Sequence, residues 1–170
     1  MNLKDFIKDV PDYPKPGIIF KDITPLLGDK DAFVFVINNF AERFADKKID
    51  AVVGIDARGF LLAAPVAYKL GAGLAIVRKP GKLPRKTICE DYTLEYAANT
   101  LEMHEDAISP GQNVLIVDDV LATGGTMEAT VKMVRKLGGN IVGIGFLMEL
   151  GFLNGRDKLK DFEIFSLISY

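Results

Sequence analysis

Residues Val114–Thr126 read VLIVDDVLATGGT, and this stretch decides how the rest of the chain is organised. Val114–Val117 is a continuous apolar run of the kind that a fully covered strand needs. Two adjacent carboxylates come next, Asp118 and Asp119. Burying both without compensation is costly, so they are expected at a solvent-filled cleft where the strand ends. An ionised carboxylate only accepts hydrogen bonds, so the pair suits a vicinal diol such as ribose O2 and O3. Ala122–Thr126, ATGGT, then opens a helix. Gly124 and Gly125 let backbone approach a ligand closely, and Thr123 and Thr126 add hydroxyls. Free N–H groups at a helix start favour an anion, here a phosphate. A diol reader and a phosphate cradle a few residues apart match the size of a ribose 5-phosphate. Each half alone reads as an acidic turn or an ordinary capped helix. GxxxxGK[ST] is absent, and no GxGxxG comes after a strand.

Outward from this segment, short apolar runs alternate with helical stretches. Asp50–Ile55, Leu74–Val77, Asn113–Val117 and Ile141–Leu147 are expected strands, with Phe162–Ile168 a fifth at the edge. Asp31–Lys47 carries Phe33, Ile37, Phe40 and Phe44 at helical spacing. Gly59–Leu70 is a second helix in which Pro65 predicts a kink or a late start. A third runs from about Thr126 to Leu137, closed by Gly138–Gly139. Continuous apolar strands separated by helices specify an α/β fold, with a central mostly parallel sheet flanked by helices. In such sheets ligands bind beyond the carboxyl ends of the strands. Met1 to about Asp29, punctuated by Pro11, Pro14, Pro16, Gly17, Pro25 and Gly28, reads as a helix or turn and then an irregular arm. Between Val77 and Asn113 lies a long stretch of mixed polarity, within which Thr87–Thr93 and Thr100–Met103 are candidates to pair; excursions of this length are usually functional.

The chain has 170 residues, enough for one domain with one sizeable core. Its net charge of −2 provides no global field for nucleic acid, so a phosphate must be held by local groups. One cysteine, Cys89, excludes an internal disulfide and fits a reducing compartment; with a single histidine, His104, neither a zinc site nor a cysteine nucleophile is supported. The first residues contain acids and prolines and do not form a signal peptide, and no apolar run approaches the ~20 residues that span a bilayer. A cytoplasmic location is the expectation.

VLIVDDVLATGGT resembles the phosphoribosyl-pyrophosphate motif of the type I phosphoribosyltransferases. Three further segments resemble those members of the family that act on adenine. These are PGIIFKDITPLL (Pro16–Leu27), like their N-terminal hood; GIDARGFLLAAPVA (Gly54–Ala67), like their pyrophosphate loop and adjoining helix; and Arg78–His104, like their flexible catalytic loop and its flanks. The resemblance covers nearly the whole chain. It implies a small hood over residues 1–30 and a core over 31–170, with a flexible loop at about 80–100. It implies transfer of ribose 5-phosphate from phosphoribosyl pyrophosphate to adenine, giving AMP and pyrophosphate in purine salvage. Mg²⁺ would be held through the diphosphate rather than by a protein cage, and the chain would act as a homodimer without nucleic acid or membrane partners.

Candidate site residues come from the same segments. Arg58 is a permanent cation with five donors, suited to a diphosphate leaving group; its plain alternative is a salt bridge to Asp56 or Asp118. The resemblance adds a cis peptide at Asp56–Ala57. Lys79 stands just past a buried strand and is favoured for a phosphate contact, whereas Lys82, Arg85 and Lys86 read equally well as solvated charges. By its residues Phe20 reads as a core plug; the resemblance makes it the ring that stacks on adenine, with the backbone of Ile19 and Lys21 reading the base edge. By resemblance Glu95 handles the purine proton and Tyr96 lines the closed site. Glu95 and Asp118 both stay open as the base. Asp118, Asp119 and Ala122–Thr126 would hold the ribose and its phosphate. The chain departs from the family pattern at Lys21 (usually Arg), Ala97 (usually Gly) and Leu62–Ala63 (usually an aromatic–Gly pair). Other purine specificities, xanthine above all, and a purine- or phosphoribosyl-pyrophosphate-sensing regulator are the alternatives.

Overall fold

A computed structural model describes residues 1–94 and 97–170. The first residues form a short 3₁₀ turn, Leu3–Phe6, and then an antiparallel hairpin of β1 (Lys8–Pro11) and β2 (Ile19–Asp22). Where prolines suggested an irregular arm, the segment is therefore a paired hairpin. Proline is tolerated there because an isolated two-stranded ribbon has edges whose N–H groups need no partner. A short helix α1 (Thr24–Gly28) leads to α2 (Lys30–Arg43), whose Asp29 N-cap accepts from the N–H groups of Asp31 and Ala32.

The core alternates strand and helix as the sequence specifies: β3 (Ala51–Ile55), α3 (Arg58–Leu70), β4 (Gly73–Val77), an excursion, β7 (Asn113–Leu121), α4 (Gly125–Lys136), β8 (Asn140–Glu149) and β9 (Ile164–Ser169). All five strands are parallel in the order β4-β3-β7-β8-β9. The excursion is itself a hairpin, β5 (Thr87–Leu94) with β6 (Ala97–His104), running in register from Thr87 opposite His104 to Leu94 opposite Ala97. Helix α3 starts at Arg58 and continues through Pro65, which takes the place of one backbone donor without ending the helix. Strand β4 is less buried than its composition suggested, with Leu74 about half exposed at the sheet edge.

Both faces of the sheet are covered, and the period of two sorts its residues between them. Val52, Leu115, Val117 and Leu147 join the cluster beneath α2 and α3. Val53, Ile55, Ile116 and Phe146 join the cluster under α4 and the β5–β6 hairpin. The buried stripe of α2 is Ala32, Val36, Ile37 and Phe40, continued by the C-cap Phe44, with Phe33 only partly covered. Phe40 and Phe44 reach the sheet because β8 presents glycine to them. A Cβ on Gly143 would stand 2.4 Å from Phe44 Cε1, and one on Gly145 would stand 2.6 Å from Phe40 Cε1. The two phenylalanines also meet Phe165 of β9 edge to face, at 5.7 and 6.0 Å between centroids.

Gly143→Ala is therefore expected to destabilise the chain by about 1–3 kcal/mol through overpacking. Combining it with Phe44→Leu, which makes room, should cost less than the two single changes summed. Urea unfolding of the three variants measures this; strict additivity would show that the glycine does not serve Phe44.

Candidate active site

The strand order reverses its direction of growth at β3, with β4 on one side and β7 on the other. In parallel sheets such a switch point opens a crevice beyond the strand ends, because the two connections that leave them run in opposite directions. Strand β3 leads into Asp56-Ala57-Arg58, with a cis peptide between Asp56 and Ala57 as the family resemblance implies. At the corresponding end of β7 lies Asp118-Asp119.

Strand β7 does not stop before its carboxylates. It runs on through Asp118 and Asp119 to Leu121, still paired with β8 at Val120 opposite Met148. Asp119 is consequently buried, 7% exposed, instead of facing open solvent. Its compensation is Arg58, whose Nε stands 2.7 Å from Asp119 Oδ2. The contact is an ion pair without an aligned hydrogen bond, so Asp119 Oδ2 keeps an unsatisfied acceptor. Such an atom favours an incoming hydroxyl or cation. The plain alternative for Arg58 named Asp56 or Asp118 as its partner; the partner is Asp119, and Asp56 is taken instead by Arg78, Nε to Oδ2 at 3.1 Å.

Asp118 sits against the start of α3. A Cβ on Gly59 would lie 2.6 Å from Asp118 Oδ1, so only glycine lets the helix come this close to β7. Asp118 Oδ1 accepts from the Asp119 N–H at 2.9 Å. Burial and the adjacent Asp119 charge push the Asp118 carboxyl well above the usual carboxylate range, against the opposing pull of that N–H and of Arg58.

Asp118 also lines a cavity of about 120 Å³ together with Ala122, Thr123, Gly124, Gly125 and Thr126. Gly124 is the N-cap of α4 at φ +83°, a conformation that glycine adopts without strain. No side chain caps this helix, so its first N–H groups are left for a ligand. The loop is braced from behind by backbone: a Cβ on Gly155 would meet Ala122 O at 2.3 Å. From the other side come the β5–β6 hairpin and Lys158. Tyr92 Cδ2 lies 3.4 Å, and Lys158 Nζ 3.8 Å, from where a Cβ on Gly125 would be.

The N-terminal hairpin reaches the same place. Arg58 Nη1 donates to Lys21 O at 3.3 Å, and its guanidinium lies 4.5 Å from the centre of the Phe20 ring. Tyr13 meets Phe20 edge on at 5.2 Å. Phe20 belongs to neither core cluster and is half-buried, which does not fit a core plug. Ile19 is exposed beside it. Arg58 thus links Phe20 and the Lys21 carbonyl to Asp119, and Asp118 beside it lines the cavity with Ala122–Thr126. Lys79 is exposed and comes one residue after Arg78, which is the basic residue that directly leaves β4. Glu95 and Tyr96 lie outside the described residues. Leu62 and Ala63 are fully buried, and Ala63 Cβ is 2.7 Å from where a Cβ on Gly54 would be, so this pair packs α3 onto β3. Ala97 begins β6.

Two residues at the crevice have no counterpart among the sequence-based candidates, Arg78 and Lys158. Arg78 is hidden among the basic residues of its loop, although its place directly after a strand end is a usable signal. Lys158 has none, since a lysine in a turn is normally solvated. Among the described residues no three or more His, Cys, Asp or Glu side chains gather as a metal cage.

A profile of the phosphoribosyl transferase domain matches residues 27–169. The adenine phosphoribosyltransferase of Geobacter metallireducens is 58% identical over 168 residues, spanning 99% of this chain and 98% of that protein. The crystal structure of adenine phosphoribosyltransferase from Thermoanaerobacter pseudethanolicus superposes with a TM-score of 0.96 at 51% identity, over 99% of this chain and 98% of that one. The Saccharomyces cerevisiae enzyme, complexed with D-2,5-dideoxy-2,5-imino-altritol 1,6-bisphosphate and adenine, superposes with a TM-score of 0.91 at 39% identity, over 97% of this chain and 96% of that one. Full-length likeness in sequence and in shape places this chain in the adenine phosphoribosyltransferase family.

Proposed function

We propose that this chain transfers ribose 5-phosphate from phosphoribosyl pyrophosphate to adenine, forming AMP and pyrophosphate, as a glycosyltransferase of purine salvage. The observation that supports the reading is that Arg58 ties the Phe20–Lys21 hairpin to Asp119, while the adjacent Asp118 lines the cavity of the glycine loop before α4. The relative from Saccharomyces cerevisiae was solved with adenine, which supports the choice of base.

In the reaction the bond from ribose C1 to the diphosphate oxygen breaks, a bond from C1 to purine N9 forms, and the N9 proton leaves. Negative charge grows on the diphosphate and positive charge on the sugar. Arg58 and Lys79 receive the departing diphosphate. Asp118 and Asp119 accept from the ribose hydroxyls and set negative charge beside the cationic sugar. Ala122, Thr123, Gly124, Gly125 and Thr126 hold the 5-phosphate through backbone N–H groups and hydroxyls. Phe20 stacks on adenine, and the backbone of Ile19 and Lys21 reads its edge. Glu95 or Asp118 takes the proton, and Tyr96 lines the closed site. In this reading residues 1–30 form the hood, and the core of 31–170 includes the catalytic loop at about 80–100, which would close over the substrates. Mg²⁺ would be held mainly through the diphosphate and the ribose hydroxyls, where it would neutralise phosphate charge, with the buried Asp119 carboxylate beside the ribose.

A homodimer belongs to the same proposal. Val34 and Tyr68, 55% and 88% exposed, flank a groove between α2 and α3, a face on which a second copy would bury apolar surface. A cytoplasmic location is consistent with a lone exposed cysteine and with the lack, among the described residues, of any helix long and apolar enough to cross a membrane. Sedimentation at micromolar concentration should give twice the chain mass; a monomer would remove the dimer from the proposal.

The base is tested by offering adenine, hypoxanthine, guanine and xanthine with phosphoribosyl pyrophosphate and Mg²⁺. Adenine should be preferred by at least about 100-fold in kcat/KM, because a site built for one hydrogen-bonding edge leaves buried groups unpaired with another. Equal or better turnover of a 6-oxopurine would overturn the assignment.

Asp118→Asn should lower kcat/KM by roughly 10²-fold or more while stabilising the free protein at neutral pH. The sign is set by the raised carboxyl. Folding disfavours its ionised form, so native stability falls as pH rises from the ordinary carboxylate range toward the raised value. The amide has no such penalty. Its advantage in thermal unfolding should therefore grow from acid toward neutral pH; an advantage independent of pH would show that Asp118 is not destabilised by its charge.

A further inference from the structure

The side chain of Lys21 turns to Asp9 and Tyr170. Only 13% of that side chain is exposed. Its Nζ lies 2.6 Å from Asp9 Oδ1, directly across the hairpin register, and 4.0 Å from the centre of the Tyr170 ring. Lys4 Nζ approaches the same ring at 4.7 Å. Tyr170 is itself fixed by main chain: its N–H donates to Glu149 O at 3.0 Å, and its carbonyl accepts from the Gly151 N–H at 2.9 Å. Burial raises its hydroxyl above the ordinary tyrosine range, so the ring stays neutral and offers an electron-rich face at working pH.

The hairpin needs such an anchor. β1 and β2 form their own two-stranded sheet and share no ladder with the central one. A lone hairpin is marginally stable in water. Toward the crevice, the Lys21 segment is tied by its carbonyl to Arg58 and by Phe20 under the same guanidinium. Away from the crevice, its ammonium is tied to the Tyr170 ring at the end of the main sheet. A lysine ammonium is a compact point charge on a flexible stem, so its position depends on what grips it.

We infer that Tyr170 is a positioning residue for the nucleobase: its ring holds the Lys21 ammonium and so fixes the Ile19–Lys21 backbone at the distance that the base edge requires. The inference rests on the proposed reading that this backbone meets adenine. It predicts an effect on one substrate and not on the other, because the phosphate loop and the diacid are built on β7 and α4.

The experiment is steady-state kinetics on the full chain with both substrates varied, for the native protein, Tyr170→Leu, Tyr170→Phe, Lys21→Met and the Leu/Met double variant. Tyr170→Leu should raise the adenine KM about 3- to 10-fold, the range of a partly desolvated cation–π contact. The KM for phosphoribosyl pyrophosphate and kcat should stay within about twofold. Tyr170→Phe keeps the ring and should restore native values. The double variant should be no worse than Lys21→Met, since the ring acts through the ammonium. Should Tyr170→Leu fail to fold, Lys21→Met and Tyr170→Phe decide by themselves: the first should raise only the adenine KM and the second should leave it alone. An unchanged adenine KM, a parallel rise in both KM values, a Tyr170→Phe defect or additive effects in the double variant would each overturn the inference. Native protein that turns over no adenine would overturn the proposed function instead, so the two failures are distinguishable.

Discussion

The ion pair between Arg58 and Asp119 is the constraint around which the crevice is organised. A buried carboxylate within an otherwise apolar strand must have a countercharge, and the nearest strand end in a parallel sheet of this order is that of β3. Arg58 comes directly after the cis peptide beyond β3, so α3 begins where the cation is needed. Gly59 then lets the helix close onto Asp118. The same guanidinium reaches the Lys21 carbonyl and the Phe20 ring. One planar, multiply donating group therefore joins the hairpin, the first strand end and the diacid, which an ammonium with a single centre would not do.

The pair is also incomplete. Asp119 Oδ2 is within contact of Arg58 but lacks an aligned donor, and Asp118 is held above its ordinary ionisation by burial beside a second acid. Both conditions disfavour the free protein and both are relieved by a ligand that brings hydroxyls or a cation to the carboxylates. An anionic leaving group, in turn, competes with Asp119 for Arg58. The electrostatic penalty held in the free crevice is thus of the sign that substrate binding reduces, as expected where function and stability pull in opposite directions.

The layers and the site motif were legible in the sequence because they rest on local signals. Continuous apolar strands, the α2 stripe and the glycine pair before α4 are patterns within single segments, and the parallel sheet results from their alternation. Other features depend on contacts between distant segments. Nothing in IVGIGFL indicates that Gly143 and Gly145 exist to admit Phe44 and Phe40 from a helix about a hundred residues earlier. The two aspartates looked like the end of β7, yet the strand resumes its pairing at Val120, because cross-strand partners on β8 outweigh a local polarity break. The prolines of the first segment suggested an irregular arm because proline content does not reveal an isolated ribbon whose edges need no donors. Arg78 and Lys158 acquire meaning only from what Asp56 and Gly125 place beside them.

The division of labour between segments explains why the motif alone could not name the base. In the proposed reading, the groups that hold the phosphorylated sugar lie at strand ends and at a helix start of the central sheet, where backbone geometry fixes them. The candidate base reader is carried by a two-stranded ribbon outside that sheet, attached through Arg58 on one side and through Lys21 on the other. A sheet with five parallel strands tolerates little movement, whereas a ribbon fixed at two points can be reset by changing either attachment. Base specificity is then free to vary without disturbing the sugar-phosphate site. The Lys21 side chain serves the attachment, and its hold on the ribbon depends on how firmly Asp9 and Tyr170 grip the ammonium.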